Sequence, residues 1–240
     1  MGLCCNREAK NEPKYSTNIS KKAKDKIDKF FKIIQKIQKE GGGKGKVYIS
    51  EKKFEKFLKY MEVYENQEYF LLKLNNYRVV TKNISKEAFN YIEKIFSFIV
   101  NYLTGKNINN ENFGVFRSVI ILSQTFVYKI TENEKIFLQD KLKVKQIFGG
   151  IEFWKKYSGY LINQEVDKLI KNEETNQEGE KLDKLRERGA FSQLLDVIKN
   201  MKDFGFPKNQ IKETIAQYFD QYKISQENQL TLNSYVDLEE

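Results

Sequence analysis

The residues of this chain best suited to covalent chemistry stand together at its start, Met1-Gly2-Leu3-Cys4-Cys5-Asn6. Removal of Met1 frees the amine of Gly2, which can take a myristoyl group through an amide bond. The usual motif carries Ser or Thr at position 6, where this chain has Asn6. The adjacent thiols of Cys4 and Cys5 suit palmitoyl thioesters. One myristoyl chain binds a membrane only marginally, at roughly 10⁴ M⁻¹, so a stable anchor needs a second signal. Two thiols and a lysine-rich stretch downstream supply it. Gly2, Cys4 and Cys5 are therefore the candidate lipidation sites, and membrane lipid is the partner they imply. A chance Met-Gly start with two inert thiols is the bland alternative.

Elsewhere the residue types exclude more than they offer. The chain has no histidine, which removes the commonest general base and proton shuttle. Both cysteines lie in the first five residues, so the rest of the chain builds no thiol–imidazole pair and no Cys/His zinc site. No GxSxG and no calcium-loop spacing occurs. Residues 41–46, Gly41-Gly42-Gly43-Lys44-Gly45-Lys46, suggest a phosphate loop, but the GxxxxGK[ST] spacing fails and a helix precedes them. They read as a hinge. The paired carboxylates Glu132/Glu134, Glu173/Glu174 and Glu239/Glu240 fall in polar turns or the tail and read as solvated. Trp154, on an apolar helix, reads as core. A non-enzymatic protein is expected, with no catalytic residue, metal or cofactor. Cysteine usage points to a cytosolic setting without disulfides, and no apolar h-region follows Met1.

Charge is localised. Residues 1–46 hold 13 Lys/Arg and 5 Asp/Glu, whereas residues 47–240 hold 29 and 28. Only five of the 42 basic residues are Arg. Bidentate phosphate recognition and base reading favour Arg, so nucleic acid is disfavoured as a partner. A lysine arm suits diffuse attraction to an anionic surface, at about 1 kcal/mol per Lys near anionic lipid. Lys21, Lys22, Lys24, Lys26, Lys29, Lys32, Lys36 and Lys39 are the candidate contacts with a membrane or other acidic surface. They alternate with Ile19, Ala23, Ile27, Phe30, Phe31, Ile34 and Ile37 at helical spacing. Two readings stay open: an amphipathic helix lying on the leaflet, or a bundle helix with a solvated lysine face.

The elements behind these residues are helical. Few Pro and Gly interrupt the chain, and apolar residues recur at three- and four-residue steps. The stretch 113–128 is apolar on every side, through Phe113, Val115, Phe116, Val119, Ile120, Ile121, Leu122, Phe126, Val127 and Tyr128. Such a helix must be covered by others, and it is too short to span a bilayer. Arg117 within it is expected to form a structural buried ion pair, since an unpaired buried charge is costly. Further helices are predicted over 51–74, 86–103, 134–142, 144–148, 151–171, 182–204, 209–222 and from Ser225 to Val236. Ser50, Ser85 and Ser225 stand at N-cap positions. The expected fold is all-α: a single bundle of about eight or nine helices behind a flexible basic arm. The expected organisation is a lipidation tail over 1–17, a basic helix and hinge over 18–46, and a helical domain over 47–240 that folds alone.

One pattern resembles a known family. Ile84-Ser85-x-x-Ala88-Phe89, Asn112-Phe113-Gly114, Phe126-Val127-Tyr128 and Phe153-Trp154 are followed by Phe191-Ser192-Gln193-Leu194. Asn200-Met201-x-x-Phe204-Gly205-Phe206-Pro207 completes the set. The order resembles the SBF-type helical domain of the myotubularin-related set-binding factors, which also makes up small stand-alone proteins, and covers about residues 84–236. The flanking DENN, GRAM and phosphatase-like modules are absent. The resemblance implies an all-α, non-enzymatic domain of membrane-trafficking proteins.

Together these readings lead to the expectation of a lipid-anchored adaptor or scaffold at the cytoplasmic face of a membrane, presenting a helical domain to a protein partner. The alternative is a structural subunit of a cytoskeletal assembly, microtubule or ciliary, held through the lysine arm.

Overall fold

The computed structural model describes residues 19–40, 48–81, 83–106, 110–173 and 179–238. Among them are eleven helices and one two-stranded hairpin, so the chain is all-α as its periodicity predicts. The helices exceed the eight or nine expected. They also gather into two compact units, residues 1–141 and 142–240, where a single bundle was expected.

The first unit holds α1 (Lys21–Glu40), α2 (Glu51–Tyr60), α3 (Tyr64–Arg78), α4 (Lys86–Thr104) and α5 (Asn110–Thr125). Its core includes Ile27, Ile34, Met61, Phe70, Leu74, Ile92, Phe96 and Phe116, all fully buried. The expected helix over 51–74 is two helices. No Gly or Pro marks the break. Instead, Asn66 Nδ2 donates to the Tyr60 carbonyl at 2.8 Å and Gln67 Nε2 to the Met61 carbonyl at 2.6 Å. These buried amides satisfy carbonyls that the end of α2 leaves open. Ser85 caps α4 as expected, its Oγ accepting from the Ala88 N–H.

The central helix ends at Thr125, not Tyr128. Val127–Lys129 forms strand β1 and pairs antiparallel with β2, Lys135–Phe137, in the register Val127↔Phe137, Tyr128↔Ile136, Lys129↔Lys135. The expected helix over 134–142 accordingly shortens to α6, Leu138–Leu142. β-Branched and aromatic residues on both sides of a polar turn favour the hairpin. Arg117 also departs from expectation. It is half-buried, on a partly exposed stripe with Gly114, Ser118, Ile121 and Thr125. No described carboxylate pairs with it. The small residues of that stripe leave its guanidinium a path to water, so no buried partner is required.

The second unit holds α7 (Gln146–Gly149), α8 (Ile151–Asn172), α9 (Glu180–Asp203), α10 (Lys208–Ala216) and α11 (Gln226–Asp237). α8 and α9 form its main pair. Trp154 is core: it is fully buried, and its Nε1 donates to the Phe148 carbonyl at 2.9 Å. Phe204 and Phe206 pack edge-on against its indole at 5.3 and 5.9 Å. The Asn200–Pro207 motif has a local cause. Gly205 has φ of 83° and its N–H bonds to the Lys202 carbonyl, while the Phe206 N–H reaches back to Met201. That is a Schellman stop, which glycine's missing Cβ permits. Ser225 stands before α11 but its hydroxyl does not cap it. Glu187 of α9 accepts the Ser225 N–H and Asn228 Nδ2 instead, both at 2.7 Å.

Two outcomes test this packing. A Cβ at Gly189 would stand 2.9 Å from Val166 Cγ2 and 3.3 Å from the Val166 Cα, so α8 and α9 meet where only hydrogen fits. Gly189→Ala should destabilise the second unit by about 1–3 kcal/mol, measured by urea unfolding. The buried Tyr218 hydroxyl donates to the Lys155 carbonyl, and burial pushes it from its ordinary 10.0 up to about 12. Its folded value lies above its unfolded one. The contribution is therefore complete below pH 10.0 and is lost as pH rises through about 12. It amounts to roughly 2–3 kcal/mol. Tyr218→Phe should flatten the alkaline fall of unfolding free energy over that window.

Candidate anionic-surface interface

Helix α1 separates its residues by type, with Ile33 half-buried at the boundary. Ala23, Ile27, Phe30, Phe31, Ile34 and Ile37 are all buried. Lys21, Lys22, Lys24, Lys26, Lys29, Lys32, Lys36 and Lys39 are all exposed. The apolar side packs within the first unit, against α2, α3 and α4. Phe30 stacks on Phe57 with ring centroids 3.6 Å apart, and Phe31 meets Tyr77 edge-on at 5.5 Å. Of the two readings left open by the sequence, the bundle helix describes the fate of the apolar face. The basic helix, expected as part of an arm, is a core element.

Polar contacts fix the helix further. Gln38 Oε1 accepts the Ser85 N–H at 2.5 Å and its Nε2 donates to the Asn83 carbonyl at 3.2 Å, joining α1 to the start of α4. Asp28 accepts from the Tyr69 hydroxyl at 2.9 Å and pairs with Lys73 at 3.1 Å, joining α1 to α3. Burial alone would raise the Asp28 carboxyl, but hydrogen bonds from Lys73 and Tyr69 outweigh it and hold the group below its ordinary value. Burial likewise opposes the charge on Lys73, and its bonds to Tyr69 and Asp28 overcome that and raise it.

The lysine face is free of such ties. No described carboxylate forms a salt bridge with any of the eight ammonium groups, although the charge of Lys24 helps hold the Asp28 carboxyl down. Lys24 lies 5.6 Å from the centre of the Tyr69 ring, a cation–π distance. At 100° per residue, Lys21, Lys22, Lys29, Lys32, Lys36 and Lys39 fall within an arc of about 100°, opposite the buried residues. From Lys21 to Lys39 the row is about 27 Å long. Asp25 is an exposed acid within that arc. Charge also divides by unit: residues 1–141 hold 27 Lys/Arg and 16 Asp/Glu, residues 142–240 hold 15 and 17. The first unit is thus net +11 and the second −2.

Gly2, Cys4 and Cys5 lie outside the described residues, as does the expected hinge over 41–46. Among the described residues no helix is long and apolar enough to cross a membrane. Nor do three or more His, Cys, Asp or Glu side chains among them converge as metal ligands. No family model, curated protein or solved structure matches the chain.

The buried face revises where the chain tolerates a cut. Five large apolar side chains of α1 at roughly 1.5–3 kcal/mol each contribute on the order of 10 kcal/mol. A fragment of residues 47–240, expected from sequence to fold alone, loses that and leaves Phe54 and Phe57 uncovered. It should bind anilinonaphthalene sulfonate and unfold without a cooperative transition in its first unit. A fragment of residues 19–240 should melt like the full chain.

Proposed function

We propose that this protein is a lipid-anchored, non-enzymatic adaptor that works at the cytoplasmic face of a membrane. Acyl groups on Gly2, Cys4 and Cys5 hold the chain there, and the lysine face of α1 rests against anionic headgroups. The helical units then present their remaining surface to a protein partner. The observation that carries this reading is the division within α1. Every large apolar residue of the helix except the half-buried Ile33 is committed to the core, while eight lysines remain exposed and form no salt bridge with any described carboxylate. A row of like charges repels itself, so it is stabilised by contact with an anionic surface. Electrostatic attraction and acylation reinforce each other, since neither alone gives a stable anchor. The SBF-type pattern over residues 84–236 supports a trafficking setting for the same adaptor.

Membrane fractionation of cells expressing wild type, Gly2→Ala and Cys4→Ser/Cys5→Ser tests the reading. Wild type should pellet with membranes, and both variants should shift largely to the soluble fraction. Equal partition of all three would overturn the anchor. Retention of all three in a salt-extractable cytoskeletal fraction would favour the assembly alternative.

A further inference from the structure

The lysine face of α1 resembles the polar side of an interfacial amphipathic helix, yet its apolar side is spent elsewhere. An interfacial helix buries that side 5–10 Å into the acyl boundary and thereby senses packing and curvature. Here Phe30 and Phe31 are locked against Phe57 and Tyr77, Gln38 accepts the N–H of Ser85, which caps α4, and Asp28 accepts from Tyr69 of α3. Ile33, beside the row, is the one large apolar residue of α1 left half-buried, so contact with a bilayer falls chiefly to the ammonium groups. Those groups form a row about 27 Å long, with no Arg fork to grip a phosphate bidentately. A row of separate point charges matches many singly charged headgroups spread over an area. It does not match one headgroup carrying several phosphates, which needs convergent donors.

We propose that α1 is a non-inserting docking face for bilayers rich in monoanionic phospholipid of the phosphatidylserine kind, reading surface charge density. This rests on the membrane reading above and names the lipid class and the mode of contact. Asp25 lies within the row and weakens it, so the face is not at its maximum affinity.

Co-sedimentation of the full, unacylated chain with vesicles tests this. The vesicles are phosphatidylcholine alone, phosphatidylcholine with phosphatidylserine, and phosphatidylcholine with a polyphosphoinositide at matched total charge. Expected are no binding to the first and equal binding to the other two, falling steeply with salt and unchanged by vesicle diameter. Each lysine contributes about a fivefold factor. Lys29→Gln/Lys32→Gln/Lys36→Gln should therefore weaken binding about 100-fold, while Asp25→Asn should tighten it several-fold. These side chains are exposed, and circular dichroism checks that both variants keep the wild-type helix content. Salt-resistant binding to phosphatidylcholine, a preference for the polyphosphoinositide at matched charge, or a triple variant that binds like wild type would each overturn the proposal. So would failure to bind any of the vesicles. The assay uses unacylated protein, so its result stands apart from that of the Gly2 and cysteine variants.

Discussion

The ring of Phe30 lies flat on Phe57, and the function proposed for the lysines depends on that contact. It fixes which way α1 is turned. With Ile27 and Ile34 fully buried behind it, the helix has no rotational freedom that would keep its apolar residues covered. The lysines follow by exclusion: at 3.6 residues per turn, residues between the buried positions must face out. The sequence pattern that makes α1 a stable part of the core therefore also builds the basic strip. Neither property can be altered by register without harming the other.

The units differ in what holds them. In the first, apolar stacking is supplemented by polar latches, where Gln38 near the end of α1 and Asp28 in its interior reach across to neighbouring elements. In the second, an aromatic cluster around Trp154 fills the space between helices, and tyrosine hydroxyls bridge back to backbone or amide groups. Tyr222 donates to Asn163 Oδ1 at 2.6 Å, and Tyr218 to the Lys155 carbonyl. At the end of α11, Lys202 and Lys208 donate to the carbonyls of Tyr235, Leu238 and Asp237, placing cations where the helix dipole is negative. The lysines of the second unit are thus largely engaged in structure, whereas those of α1 are not.

Helix content, most helix ends and the buried positions were legible because each has a short-range cause. Gly205-Phe206-Pro207 stops α9 by backbone geometry alone, and Ser85 caps α4 with its own hydroxyl. The break at residues 61–63 was not legible. It is held by Asn66 and Gln67, polar residues that sequence reading assigns to the surface and the fold places inside. The hairpin was hidden for a related reason: Phe126 and Val127 continue an apolar run, and strand pairing depends on Ile136 and Phe137, which lie beyond the turn. Counting apolar residues around the helix makes Arg117 look buried, but Gly114, Ser118 and Thr125 share its side and leave it partly exposed. For the candidate interface, the eight lysines could be named from spacing. Whether their helix lay on lipid or on the bundle required the partners of its apolar face, which belong to α2, α3 and α4.

The hairpin bears on how the chain behaves among copies of itself. A two-stranded sheet has two free edges, each a template for a stray strand. At the Val127–Phe137 level both are already taken. The outward carbonyl of Val127 accepts the Ile84 N–H at 3.0 Å, and the outward N–H of Phe137 is held by Asp140 Oδ2 at 3.1 Å. One rung further, Lys129 and Lys135 face each other across the strands and add like charge to any would-be recruit. This small sheet is closed to other copies by two hydrogen bonds and a pair of ammonium groups.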